Sequence, residues 1–512
     1  MRRTVAAAAL ALALAATGTI SAYADSDLQI ESPEVVPSEP EAPTPEQVLD
    51  RAEAALDGEV TGTRRPEATL ALRDLFATLP RLSGTDRAAA RRILARPTQG
   101  ANDPYGDGYT VDSRRRCAKR ICIHWVPTTS DAPPSERWVN RSLRVVKQVW
   151  RTEVSALGYR RPVRDGRRGG NGKLDVYLAD VGSQGLYGYC APEVTKPGFK
   201  RLASGFCVLD NDFSRSEFGG RPINTLKVTA AHEFFHTVQF AYDYLEDPWL
   251  MEATATWIEE RYADGVNDNR QYLPRGQLVR TWVALDTFKT DSVVQYGNWV
   301  FFEYLTERFG NRIVRRIWNQ AGHFRGDGKT YSTSAVQRVL PRKAPFAKVF
   351  AQFSAANLTP ARSYPEGLHW PRPALVSHGA LGRGEGTSGT LVIDHLSSHD
   401  IRVTPEKSLG KRKFKLRVRI DGPARRTDPM ATVVWQQRSG KITKLPVRLN
   451  KRGKGSKVVP FNRRQTRRVW LVLSNASTRF DCRGNDVTYS CSGTPRDDNR
   501  AFRLRLRVVT RR

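Results

Sequence analysis

Apolar residues recur along this chain with two periods, and the change from one to the other divides it. Between residues 45 and 96 they fall three and four apart, as in ALRDLFATLPRL and DRAAARRILARP, with Gly84 and Pro97 as punctuation. That is the spacing of helices burying one face. From about Asn102 strand-like and helix-like runs mix. CIHWVP and KLDVYLAD read as short strands, the latter bounded by the glycines of residues 169–172 and by Gly182. RWVNRSLRVVKQVWRTEV, residues 137–154, sets Val139, Leu143, Val146 and Trp150 along one helical face, and several long helical patterns follow from Thr225 to about Phe353. This is an α+β block. From about Pro371 the period drops to two. KFKLRVRI (413–420) turns Phe414, Leu416, Val418 and Ile420 one way and its basic residues the other, and AFRLRLRVV (501–509) repeats the scheme. With ATVVWQQ, ITKLPVRLN and RVWLVLSNAS, these evenly spaced strands predict a small antiparallel β-sandwich.

Composition adds a compartment. The chain of 512 residues opens with Arg2 and Arg3, an apolar run from Val5 to about Ala16, and Ala22-Tyr23-Ala24 before Asp25. Residues 1–24 therefore read as a signal peptide, the run being too short for a transmembrane anchor, and the mature protein is expected to be secreted and extracellular. The 6 cysteines fit that compartment, and their spacing suggests three local disulfides, Cys117 with Cys122, Cys190 with Cys207 and Cys482 with Cys491, among the connectivities open to them. Residues 25–60 are acidic, proline-bearing and expected to be disordered. Residues 61–101 are expected to form a helical pro-region, with a permanently attached helical subdomain as the alternative. Residues 102–365 would be the main domain and 371–512 the sandwich. The formal net charge of +30 concentrates in the sandwich, where arginine occupies the wet face.

One stretch carries chemistry. VTAAHEFFHTVQF, residues 228–240, places His232 and His236 four apart with Glu233 beside the first, and only 8 histidines occur in the chain. A helix capped by Asn224 or Thr225 would project both imidazoles from one face, one turn apart, as a shared metal requires. Glu233 lies about 100 degrees round, near such a metal but off it, where a base acting on its water would stand. Asp247 and Pro248 can start a second helix, WLMEATATWIEERY, that returns antiparallel and brings Glu252 within reach.

These two helices resemble the gluzincin clan of zinc metallopeptidases, which pairs His-Glu-x-x-His with a glutamate ligand early on the next helix, as in Trp249-Leu250-Met251-Glu252-Ala253. The resemblance implies a zincin-like catalytic domain, zinc held by His232, His236 and Glu252, Glu233 as general base, and hydrolysis of protein or peptide substrates. The family often has Gly where this chain has Ala253, and Asp where it has Thr256. A branch with a third histidine ten positions after the first is excluded, because Gln239 and Tyr242 stand at its glycine and histidine positions; Asp243 is a weak substitute. Glu259, two turns after Glu252, is the reserve ligand. Tyr296, in YGNWVFFEYL, resembles the tyrosine that stabilises the oxyanion in aminopeptidase-like members.

Other residues offer less specific signals. Asp210, Asp212 and Glu217 could hold calcium, a solvated loop being the plainer reading. GFCVLDN, residues 205–211, could be an edge strand that pairs with an extended substrate. The remaining histidines lack such partners. A rival reading is a non-catalytic exported protein whose basic sandwich holds anionic cell-wall or surface polymers, although Glu233 would then have no use. No specific nucleic acid is expected, since the sandwich strands lack the aromatic residues that stack on bases.

Overall fold

A computed structural model describes residues 43–57, 68–99, 108–326, 330–411, 413–482 and 487–510. The signal-peptide reading of residues 1–24 falls outside them. Three helices come first: α1 (Pro45–Asp57), α2 (Ala68–Thr78) and α3 (Gly84–Ile93). The expectation of disorder through residue 60 is corrected at α1, which buries Val48, Leu49, Ala52, Ala55 and Leu56. Its apolar period outweighs its acidic composition.

Five strands follow: β1 (Arg114–Cys117), β2 (Ile121–Trp125), β3 (Leu174–Ala179), β4 (Gly188–Thr195) and β5 (Ala203–Asp210), with α4 (Glu136–Trp150) crossing between β2 and β3. They form one sheet in the order β1-β2-β3-β5-β4. The inner three run parallel and the outer two antiparallel. β5 is therefore internal, and the edge-strand reading of residues 205–211 is corrected: the free edge belongs to β4, which folds back along β5 and is tied to it by Cys190–Cys207. The other two expected disulfides, Cys117–Cys122 and Cys482–Cys491, are also present.

Side-chain alternation gives the sheet two apolar faces. Leu174, Val176, Leu178, Cys207 and Leu209 share a core with the helices that follow, whereas Tyr177, Ala179, Phe206 and Val208 pack against α1–α3. The N-terminal helices thus close one side of the sheet. Beyond α3, buried Arg96 pairs with Asp165, Asp175 and Glu193, so the end of this segment is held by three carboxylates.

The helical half comprises α5 (Arg215–Phe218), α6 (Pro222–Phe240), α7 (Pro248–Ala263), α8 (Val294–Gly297), α9 (Trp299–Phe309), α10 (Arg312–Ala321), α11 (Ser332–Val339) and α12 (Phe346–Asn357). The C-terminal region is all-β: β6 (Ser377–Leu381), β7 (Gly386–Ile393), β8 (Ser397–Pro405), β9 (Phe414–Asp421), β10 (Pro429–Gln437), β11 (Ile442–Pro446), β12 (Lys454–Pro460), β13 (Thr466–Asn475), β14 (Phe480–Asp481), β15 (Thr494–Pro495) and β16 (Arg500–Thr510). A sheet ordered β11-β10-β13-β8-β6 and one ordered β12-β9-β16-β7 share a single core that includes Val433, Leu471, Leu416 and Leu506. The sheets are not wholly antiparallel as expected, because β6 runs parallel to β8.

The two halves meet through buried polar contacts. His395, in the β7–β8 turn and 1% exposed, bonds through Nδ1 to Asp498 at 2.6 Å and through Nε2 to Asp286 at 3.0 Å. Asp286, from the helical half, also accepts from the Ser490 amide and hydroxyl. Ser490 Oγ lies 3.2 Å from Ser332 Oγ, which donates to Asp247 at the start of α7. Burial alone would lower the pKa of His395, but the two carboxylates outweigh it and raise it to about 10.

A pKa raised above the unfolded value of about 6.5 contributes stability that is complete below that value and is lost as pH climbs through the folded one. Thermal unfolding between pH 7 and 10.5 should therefore show an alkaline loss of stability on the order of a few kcal/mol. In His395→Gln that slope should be absent and the midpoint lower throughout. An unchanged slope would remove His395 from the junction.

Candidate metal centre

α6 begins at Pro222, one turn before either predicted cap, with proline in the first helical turn, where its missing N–H costs no hydrogen bond. From Thr225 to Phe240 every residue except Lys227 is buried, so the helix is wrapped on all sides. α7 is buried from Pro248 to Glu260 and returns alongside it. Asp247 stands at its N-cap, but its carboxylate does not cap the helix. It accepts instead from the Ser332 hydroxyl and the Cys491 amide, tying the start of α7 to the C-terminal region.

The helix pair brings the three predicted ligands together. His232 and His236 have ring centroids 5.0 Å apart. Glu252 Oε2 is 3.3 Å from His232 Nε2, and Oε1 is 3.7 Å from His236 Nε2. One ligand atom from each of the three residues lies within 4.8 Å of the others, and all three side chains are buried. The opposite edges of both rings are also engaged. His232 Nδ1 is 2.8 Å from Glu259 Oε1, and His236 Nδ1 is 2.8 Å from Gln239 Oε1. Gln239 Nε2 donates to the Met251 carbonyl, which assigns its oxygen to His236 and joins α6 to α7.

Acceptors at both Nδ1 positions place the protons there and turn both Nε2 lone pairs toward Glu252, the outer support typical of metal-ligating histidines. Two neutral imidazoles and a carboxylate fit a borderline divalent cation such as zinc. The reserve assignment of Glu259 as a ligand is corrected, because α7 carries it to the far side of His232. Its carboxylate holds the Nδ1 edge of that ring, while Thr256 donates to the Glu252 carbonyl. Asp243 is likewise outside the cluster, paired with Arg201 and His323.

Glu233 is 2% exposed, and its carboxylate accepts from Thr69 Oγ1 of α2 at 3.1 Å. Thr69 Oγ1 also accepts from the Cys190 amide on the free edge of β4 at 2.9 Å. At Gly188 a Cβ would approach Glu233 Cγ to 3.4 Å and the Val208 carbonyl to 2.7 Å, so glycine lets the edge strand pass beside this carboxylate. Tyr296, on α8, has its ring centroid 6.0 Å from that of His232 and 5.1 Å from that of Tyr272. Sequence reading missed Thr69, Gln239 and Tyr272; none carries a local motif.

Elsewhere, Asp210, Asp212 and Glu217 do converge. Asp210 already accepts from the amides of Gly182, Asp212 and Phe213, and burial raises its pKa to about 7. His124 pairs with Asp175 and His323 with Asp243, single carboxylate partners that suit the structural role expected of these histidines.

No family model and no curated protein matches this chain. Among solved structures, the pre-peptidase C-terminal domain of a collagenase from Bacillus anthracis is similar at 10% identity, covering 26% of this chain and 94% of that one, with a TM-score of 0.15. A family GH115 4-O-methyl-α-glucuronidase, BtGH115A, matches at 8% identity over 70% of this chain and 54% of that one, also with a TM-score of 0.15. Superpositions this poor transfer neither fold nor activity.

If Glu259 and Gln239 orient the two imidazoles, Glu259→Ala and Gln239→Ala should each weaken metal binding by about 10–100-fold. Competition against a coloured chelator reads this directly. Unchanged affinity in both variants would reduce these contacts to packing.

Proposed function

We propose that this chain is a zinc-dependent peptidase of the gluzincin type, with His232, His236 and Glu252 as ligands and Glu233 as general base. The observation that supports it best is the convergence of both Nε2 atoms on Glu252 while both Nδ1 atoms are held by acceptors. Three protein ligands leave a fourth position for water or a substrate carbonyl, as catalytic zinc sites do. Bound zinc would supply a Lewis acid and bring the pKa of its water to about 7.

The chain's own groups then divide the work. Glu233 takes a proton from the attacking water and delivers it to the leaving amine. Glu259 and Gln239, accepting at Nδ1, hold His232 and His236 with Nε2 directed at the metal position. Tyr296, packed beside His232, is assigned to the developing oxyanion. The free edge of β4, beside Glu233, is where an extended peptide would add as a further strand. That edge supports a reading in which the substrates are proteins or peptides. Three disulfides, and the absence among the described residues of any helix long and apolar enough to cross a membrane, fit an extracellular setting.

Thr69 gives the N-terminal helices a part in this reading. It occupies the edge-strand amide of Cys190 and the carboxylate of Glu233 together, so the intact chain is proposed as the latent form, with residues 61–101 as its pro-region.

Wild-type protein should hold about one zinc and cleave an unfolded protein substrate in a chelator-sensitive manner. Glu233→Gln should keep the metal and lose at least about a hundredfold in kcat, the scale of general-base catalysis, whereas Glu252→Ala should lose the metal. Retention of zinc by Glu252→Ala, or full turnover by Glu233→Gln, would sink the assignment. Thr69→Val should raise turnover of the intact chain; a fall would make Thr69 a positioning residue for Glu233 instead.

A further inference from the structure

We infer that the outer face of the β12-β9-β16-β7 sheet is a binding site for a flexible polyanion whose charges are phosphodiesters. The inference does not depend on the metal centre. It rests on the register of β9 and β16. Arg419 pairs directly with Arg505, and Arg417 with Arg507. All four are exposed. Their neighbours on the flanking strands are small or apolar: Ser456 and Ser388 border the first pair, Val458 and Gly386 the second. Arg503 extends the row opposite Asp421, and that acid already pairs with Lys454 at the end of the sheet. Among the described residues, none of Arg417, Arg419, Arg503, Arg505 and Arg507 has an ion-pair partner.

Like charges set directly opposite across antiparallel strands destabilise a sheet. A solvated face needs only polar residues, and alternating signs would serve solubility better than two stacked Arg–Arg pairs. Strands lie about 4.8 Å apart and alternate residues about 6.8 Å along a strand. The four arginines therefore spring from a compact rectangle of backbone positions, and all are exposed. Guanidinium forks match phosphate oxygens in pairs. A flexible chain bearing repeated phosphates can engage all four, and it would relieve the repulsion that the fold sustains alone.

The face argues against nucleic acid. No aromatic side chain stands on it among the described residues, so bases would have nothing to stack on.

The test uses the full chain with synthetic poly(glycerol phosphate), and with a twenty-residue oligothymidine and polyglutamate as comparators. Wild type should bind poly(glycerol phosphate) most tightly, with affinity falling steeply as salt rises. Replacing Arg417, Arg419, Arg505 and Arg507 together by threonine should weaken binding at least about tenfold and flatten the salt slope by roughly 3. The same variant should melt at a higher temperature than wild type, because the like-charge pairs are gone. Replacing Arg438, Lys441, Arg464 and Arg467 together by threonine, four exposed cations on the β10–β11 turn and around the start of β13 in the other sheet, is the control for net charge. Equal weakening by that control, tighter binding of oligothymidine or of polyglutamate, or unchanged affinity in the fourfold variant would each overturn the proposal. Since the variant is expected to be more stable, a fall in melting temperature would also count against it.

Discussion

The contact between α6 and α7 governs the centre of this molecule. Neither helix has a wet side along its buried length, so neither could persist without the layers around it. Each carries part of one chemical unit, two imidazoles on the first and a carboxylate on the second. Gln239 joins them by using both ends of its amide, the oxygen on His236 and the nitrogen on the backbone of α7. A single side chain thus sets ring orientation and helix spacing together. Glutamine, unlike a glycine, also lets the chain continue as helix to Phe240 instead of turning early.

Around that pair the protein is layered so that each face of the sheet is claimed by a different part of the chain. α4 and α6 take one side, and the N-terminal helices take the other. Thr69 is the point where the N-terminal layer crosses the sheet edge and meets Glu233. On the far side of the site, Asp247, Ser332, Ser490, Asp286 and His395 form an unbroken polar path from the N-cap of α7 to the β-region. Every member is buried, so each bond acts in surroundings where leaving it unmade is costly.

How much of this was legible beforehand follows from range. His232 and His236 lie one turn apart, and a proline marks the start of the helix bearing Glu252, so local rules were enough to foresee that these three side chains meet. The disulfides were equally local. Periodicity gave the strand pattern of the sandwich because alternation is a property of each strand alone. What escaped was long-range. β5 looked like an edge because nothing in residues 205–211 reveals that residues 188–195 fold back beside it. Glu259 looked like a spare ligand because helical spacing places it near Glu252 but does not say that His232 stands between them. Over α1 two local signals disagreed, a helical apolar period and an acidic composition that suggested disorder, and the period prevailed.

The polar path from α7 into the β-region bears on how such a protein can change over generations. Accessory β-domains are commonly exchanged as cassettes, since few contacts cross their linkers. This one is wired through Asp286 and Ser332 into the helix that carries Glu252. Recombination that replaced it would strip buried Asp286 of His395 and Ser490 and would take the Cys491 amide from Asp247 at the foot of that helix. The β-region is therefore bound to descend with its partner as a single heritable unit, free to vary on its outer face and constrained at its junction.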